Sequence, residues 1–172
     1  MWPLPEGCTL RAHATVEYWD KGRRIGRFPA LLADICDVAG ALVTLHVTYL
    51  QGGRKLTGHE PRKQLSAVAG RSGCAVRLMP AGEELGVAEG IETALAAHRL
   101  HDVSVWAALN TALLARFEPP PAVRTLLLFA DRDAPGLEAA ARLMERLQGR
   151  VRLEMRIPKT PAKDWNDVLV GL

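Results

Sequence analysis

The chain has 172 residues, 48% of them hydrophobic and 24% charged, with a formal net charge of +3, which suits one well-formed core. No apolar run approaches the roughly 18 residues of a membrane span, and "MWPLPEGCTL" has neither the basic start nor the hydrophobic stretch of a secretory signal. Three scattered cysteines, Cys8, Cys36 and Cys74, without CxxC spacing argue against a disulfide framework and a zinc module, so a cytoplasmic setting is expected.

Charge divides the chain. Residues 1–82 hold eleven Lys/Arg against six Asp/Glu, a surplus of +5, while residues 83–172 hold eleven against thirteen, giving −2. A basic front half attracts phosphate backbones and an acidic back half collects divalent cations, although plain solvation explains such asymmetry equally well. On the first reading Arg23, Arg24, Arg54, Lys55, Arg62 and Lys63 form a nucleic-acid track.

The front half reads as short strands and turns. In "ALVTLHVTYL", Val43, Leu45, Val47 and Tyr49 alternate with Thr44, His46 and Thr48, the period of a half-buried strand, and Gly52-Gly53 signals a turn after it. "DKGRR" and "AGRSG" are further turns, and a small antiparallel β-rich unit over residues 1–82 is expected.

From residue 83 the grammar changes. "LGVA" (85–88) predicts a strand, 91–100 an alanine-rich helix, "VSVWAA" (103–108) a strand and 111–117 a short helix. "RTLLLFA" (124–130) is the continuous apolar run of a strand buried on both faces. Pro135 stands near the start of a helix that Gly149 closes, "VRLEMRI" (151–157) is a fourth strand, and "KDWNDVLVGL" offers a terminal helix. Such alternation implies parallel strands joined by crossover helices.

Acids follow these strands. Glu89 follows the first, Asp131 and Asp133 the third, and Asp164 and Asp167 the fourth. In an open parallel sheet, ligands bind beyond the carboxyl ends of the strands, so acids far apart in the chain converge on one rim. Clustered carboxylates repel unless cations neutralise them, and hard oxygens select Mg²⁺ or Mn²⁺. For any single aspartate, helix capping is the competing role, because Asp is favoured at N-caps. Glu is a poor N-cap, which makes Glu89 the informative member.

The phrases "VAEGIETALAA", "LLLFADRDAPGLEAA" and "KDWNDVL", in this order, resemble the Toprim domain of primases, topoisomerases and OLD-family nucleases. The family pattern is a strand ending in Glu-Gly, here Glu89-Gly90, then a strand ending in D-x-D-x-x-G, here Asp131 to Gly136. The strongest likeness is to primase-like proteins of phages, plasmids and integrated elements. It covers about residues 83–170 and extends only loosely to the front half.

The resemblance implies a Rossmann-like α/β catalytic domain over residues 83–172. It implies Glu89 as an acid/base or metal-linked carboxylate, and Asp131 and Asp133 as metal ligands supplemented by Asp164 or Asp167. Its chemistry would be metal-dependent synthesis of short RNA primers from nucleoside triphosphates on single-stranded DNA, for a mobile element, with a replicative helicase as possible partner. A Toprim nuclease and a non-catalytic DNA-binding accessory protein are the alternatives. Arg132 departs from the small or uncharged residue usual between the two aspartates, and is a candidate phosphate contact with Lys159 and Lys163. His98 and His101 have a possible metal spacing but no third ligand nearby, and read as surface residues. The tryptophans Trp2, Trp19, Trp106 and Trp165 read as packing residues, with Trp165, between acids, a candidate for stacking on a base.

Overall fold

The computed structural model describes residues 4–66 and 73–171; Trp2 and most of the "AGRSG" turn lie outside the described residues. In the front half, β1 (Arg11–Asp20) and β2 (Arg23–Cys36) pair antiparallel, and β3 (Leu42–Gln51) pairs antiparallel with β2. Gly52 and Gly53 have φ of 57° and 76°, the left-handed pair that a tight two-residue hairpin needs before β4 (Arg54–Lys55). Another short strand, β5 (Arg62–Gln64), also pairs with β3. The expected alternation holds for Val43, Val47 and Tyr49, which are buried. His46 and Thr48, on the face that alternation assigns to water, are buried as well. The reason is tertiary: the start of a later helix roofs that face.

The back half alternates strictly. It runs β7 (Glu84–Ala88), α1 (Ile91–His101), β8 (Val105–Ala107), α2 (Thr111–Ala115), β9 (Thr125–Phe129), α3 (Ala134–Leu147), β10 (Arg152–Arg156) and α4 (Trp165–Val170). The four strands are parallel in the order β10-β9-β7-β8. Leu126 and Leu128 of β9 enter the core beside α2 and α3, while Leu127 and Phe129 enter the core beside α1. Each is at most 1% exposed, so each contributes about 1.5–3 kcal/mol of burial. That explains the unbroken apolar run. Gly86 is required by close approach, since a Cβ there would meet Phe129 Cε2 at 2.7 Å and Val105 Cγ2 at 2.8 Å.

Between the halves, β6 (Ala75–Val76) pairs antiparallel with β2 on one side and β8 on the other. One mixed sheet of mostly parallel core strands therefore continues into the β-rich front region. A core cluster draws on both parts, with Ala33, Ile35 and Val76 packed alongside Val103, Val105 and Ala107. The division between residues 82 and 83 is kept as a proposal about organisation. Among the described residues no helix is long and apolar enough to cross a membrane.

Candidate metal centre and its cationic wall

Glu89 leaves the end of β7, and Gly90, not Glu89, is the N-cap of α1. The Glu89 side chain is thereby free of a capping role. Its backbone carbonyl accepts from Leu109 N (2.7 Å), which ties the β7 end to the loop after β8, where Leu109 itself takes a φ of 75°. Burial pushes the Glu89 carboxyl up, Asp133 adds to this, and Arg62 opposes it.

Asp131 follows β9 after one residue. Its carboxyl is pushed up to about 7, by burial first and then by the like charges of Glu89, Asp164 and Asp133; the Thr93 hydroxyl partly offsets this by hydrogen bonding. Asp131 Oδ1 is buried without a hydrogen-bond partner. Asp133 does two things at once. Its Oδ1 accepts from Gly136 N (2.7 Å) as the N-cap of α3, while the residue remains within electrostatic reach of Glu89 and Asp131. Glycine suits position 136, since a Cβ there would crowd the capping Asp133 Oδ1 at 2.9 Å and Asp131 O at 3.2 Å. Spacing and crowding thus explain the D-x-D-x-x-G pattern.

Asp164 likewise caps α4, accepting from Asp167 N (2.8 Å), and lines the same pocket as Glu89 and Asp131. Asp167 turns back to accept from Lys163 N (2.9 Å) and does not line that pocket. Four acids are therefore brought together, and the fifth supports the loop that carries one of them.

Among the described residues, no three His, Cys, Asp or Glu side chains stand in an arrangement ready to hold a metal ion. Two of the carboxylates, Asp133 and Asp164, each accept from a helix N-terminal N–H through one oxygen. The donor set nonetheless fits a hard divalent cation. It is all oxygen, it contains an orphaned buried Asp131 oxygen, and its mutual repulsion is the kind a cation relieves.

The pocket, about 300 Å³, has a cationic wall. Lys55 and Arg62 both pair with Glu92 in the first turn of α1, Arg62 at 3.7 Å. The remaining basic candidates are distributed differently. Arg24 pairs with Glu17 (3.6 Å), Arg23 and Arg54 are exposed at strand ends, and Lys63 donates to the Trp19 carbonyl and lies 4.0 Å from the Tyr18 ring centroid. Arg132 turns away from the carboxylates, donating to Pro158 O (3.1 Å) and Thr160 Oγ1 (3.0 Å). Lys159 and Lys163 are exposed. His98 bonds the Val103 carbonyl through Nδ1, and His101 packs against Trp165 and Phe129. Trp165 also packs edge-on to Phe129 (5.6 Å), Trp106 is buried with its indole N–H on Met79 O, and Trp19 is 49% exposed.

Sequence reasoning missed Thr93, Glu92 and Asn166, which line the pocket. The signal for Thr93 was present, because it stands one helical turn after Glu89, on the side that returns to the rim.

Residues 84–171, half of the chain, match the family model of the Toprim domain. The chain belongs to the Toprim family. Residues 2–78 match a domain of unknown function, DUF7146. No curated protein sequence matches this Toprim protein. Its fold is similar to a DNA primase domain from Pseudomonas aeruginosa, with a TM-score of 0.57 and 19% identity over 92% of this chain and 52% of that one. It is also similar to the primase fragment of the bacteriophage T7 primase-helicase protein, with a TM-score of 0.61 and 19% identity over 84% and 59%. The DnaG primase catalytic domain bound to single-stranded DNA matches with a TM-score of 0.59 and 15% identity over 92% and 52%. The Toprim chain thus spans between about half and three-fifths of the length of these primase domains.

Proposed function

We propose that this Toprim protein is a primase-type nucleotidyltransferase that makes short RNA primers on single-stranded DNA. The observation that carries this reading is the meeting of Glu89, Asp131, Asp133 and Asp164 beside Lys55 and Arg62, on a fold shared with primase catalytic cores. Asp131, Asp133 and Asp164 would hold Mg²⁺ or Mn²⁺ with Glu89 beside them. Such a cation, when bound, supplies Lewis-acid polarisation of phosphate oxygens.

The chain's own residues do the rest. The 3′-hydroxyl of a growing primer attacks the α-phosphorus of the incoming ribonucleotide, the bond to the β-phosphate oxygen breaks, and pyrophosphate leaves with the bonding electrons. The hydroxyl proton passes to Glu89, whose burial raises its basicity toward the working range. Lys55 and Arg62 orient the phosphates once these displace Glu92 from them. Arg23, Arg24 and Arg54 extend the basic surface toward the template. The single-stranded DNA on the DnaG domain and the helicase named with the T7 fragment support single-stranded DNA and a helicase as partners. The "EGIETALAA" and "DWND" phrases support a mobile-element setting.

The test is incubation of the protein with radiolabelled ribonucleotides, single-stranded templates and Mg²⁺ or Mn²⁺. Labelled oligomers that disappear in the Glu89→Gln variant are expected. Shortened DNA would instead identify a nuclease, and a gel shift without either product would identify a binding factor.

A further inference from the structure

Trp19 belongs to none of the described core clusters. It lies near the tip of the β1–β2 hairpin, 49% exposed, where Lys21 and Gly22 take φ of 46° and 77° and close a tight two-residue turn. The indole is held in place. Its Nε1 donates to Glu17 Oε2 (3.2 Å), and Glu17 also pairs with Arg27 (3.2 Å) and Arg24 (3.6 Å). Arg24 is the cross-strand partner of Trp19 and Arg27 that of Glu17, so the four side chains share one face of the hairpin. Behind them, on the Tyr18 side, Lys63 donates to the Trp19 carbonyl. Residues 17–27 hold four Lys/Arg against two Asp/Glu, a surplus of +2. The same face carries the cationic wall. Arg62 is the partner of Thr48, and Thr48 that of Leu31. Leu31 lies four residues after Arg27 on the same side of β2, about 13 Å along the strand. Lys55, opposite Leu50, shares the side of Thr48. A lone exposed apolar residue needs no explanation. An indole fixed by an ion-paired glutamate, flanked by arginines and in line with Lys55 and Arg62, is a different object.

We infer that Trp19 is a stacking platform for one base of a single-stranded DNA, whose phosphates run along Arg24 and Arg27 toward Lys55, Arg62 and the carboxylate rim. The direction of the strand rests on the nucleotidyltransferase reading; the platform itself rests on the hairpin. A single strand presents base faces that a duplex hides, and because every base has such a face, stacking on an indole is tolerant of sequence. The arginines beside it neutralise the backbone phosphates, which makes the charge contribution dependent on salt and the stacking contribution much less so. Base and phosphate are therefore read by different side chains on one surface, and the two contributions can be separated by experiment.

The experiment is fluorescence anisotropy of a short labelled oligothymidylate with the full chain, without metal or nucleotide, over a range of salt concentrations. An abasic strand of the same length is the second probe. Wild type is compared with Trp19→Ala and Trp19→Phe. Trp19→Ala should lose at least about fivefold in affinity for oligothymidylate, the low end for one stacked base. The slope of log affinity against log salt should not change, since no phosphate contact is removed. Trp19→Phe keeps an aromatic face and should stay within about threefold of wild type. On the abasic strand all three proteins should bind alike. Circular dichroism melts establish folding. If Trp19→Ala does not fold, the quenching of tryptophan fluorescence by oligothymidylate, expected to fall in Trp19→Phe, decides the matter. Affinity of folded Trp19→Ala within about twofold of wild type overturns the platform. So does an equal loss on the abasic strand, or quenching that is unchanged in Trp19→Phe. Primer synthesis alongside any of these leaves the nucleotidyltransferase reading standing without the platform. Base-dependent binding that Trp19→Ala abolishes, in a protein that makes no primers, supports the platform and sinks that reading.

Discussion

Asp131 is the residue on which the site turns, because it is half-buried, partly orphaned and surrounded by like charge. Its carboxyl pKa lies at about 7 in the folded protein against an ordinary 3.8. The raised value fixes the sign of the linkage. Below about pH 4 both folded and unfolded states hold the proton; as pH rises toward 7 only the folded state still does, so folding stability falls across that window. Metal-free protein melted in EDTA from pH 4 to 8 should therefore lose stability with rising pH. Asp131→Asn should flatten that profile and raise the pH 8 melting temperature by several degrees, at about 2–4 °C per kcal/mol. Mn²⁺ should stabilise the wild type at pH 8 but not this variant; a flat wild-type profile would count against the charge cluster. Glu89 is expected to behave differently. Glu89→Gln should abolish primer synthesis while Mn²⁺ affinity, read by calorimetry, stays within about threefold, since proton transfer and not cation binding is its assigned task. Loss of Mn²⁺ affinity equal to that of Asp131→Asn would move Glu89 among the ligands.

At the scale of elements, two helices are started by the acids that form the rim. Asp133 caps α3 and Asp164 caps α4, and the proposed cation binding at these positions does not require the caps to break. A carboxylate has two oxygens, and one on a helix N–H leaves the other available. The pair of substitutions at Asp133 separates the roles. Asp133→Ala should cost about 1 kcal/mol, the value of an N-cap, and lower the melting temperature by roughly 2–4 °C. Asp133→Asn should keep the cap, and with it the melting temperature, while losing Mn²⁺ affinity. Equal destabilisation by both would show that the charge, not the hydrogen bond, holds the start of α3.

For the whole molecule, the sheet is the unit of organisation. Because β6 joins β8 to β2, a fragment of residues 83–172 would leave the β8 edge unpaired and strip Ala33, Ile35 and Val76 from a shared core. Such a fragment should aggregate or melt without cooperativity, measured by light scattering and circular dichroism against the full chain. A soluble, cooperatively melting fragment would establish the back half as an independent domain. The surplus charge of the front half carries a second expectation. Binding to single-stranded DNA should weaken steeply with salt, and joint reversal of Arg23, Arg24 and Arg54 should weaken it for all sequences alike. Arg23 and Arg54 are exposed at strand ends and Arg24 pairs only with Glu17, at 3.6 Å, among the described residues, whereas Lys55, Arg62 and Lys63 are engaged by Glu92, the Trp19 carbonyl and the Tyr18 ring. Salt-independent binding, unchanged by the reversals, would remove the track.

The sequence by itself determined the strand–helix alternation, because burial on both faces writes unbroken apolar runs such as "TLLLF" and helices write their own period. It also determined which acids stand at strand ends, since a parallel sheet delivers successive carboxyl ends to one edge. The crowding at Gly136 and the capping by Asp133 follow from that same local spacing. What the tertiary structure alone decided concerns contacts between distant segments. His46 and Thr48 obey the alternation of an exposed face, yet α1 covers them from about forty residues further along the chain. Lys55 and Arg62 look like any loop cations until Glu92 draws them to the acidic pocket. Arg132 sits between two aspartates in sequence, but its guanidinium is taken by Pro158 and Thr160. Local periodicity reports which side of an element is apolar; it carries no information about which partner arrives there, because the partner is chosen by the folding of the whole chain.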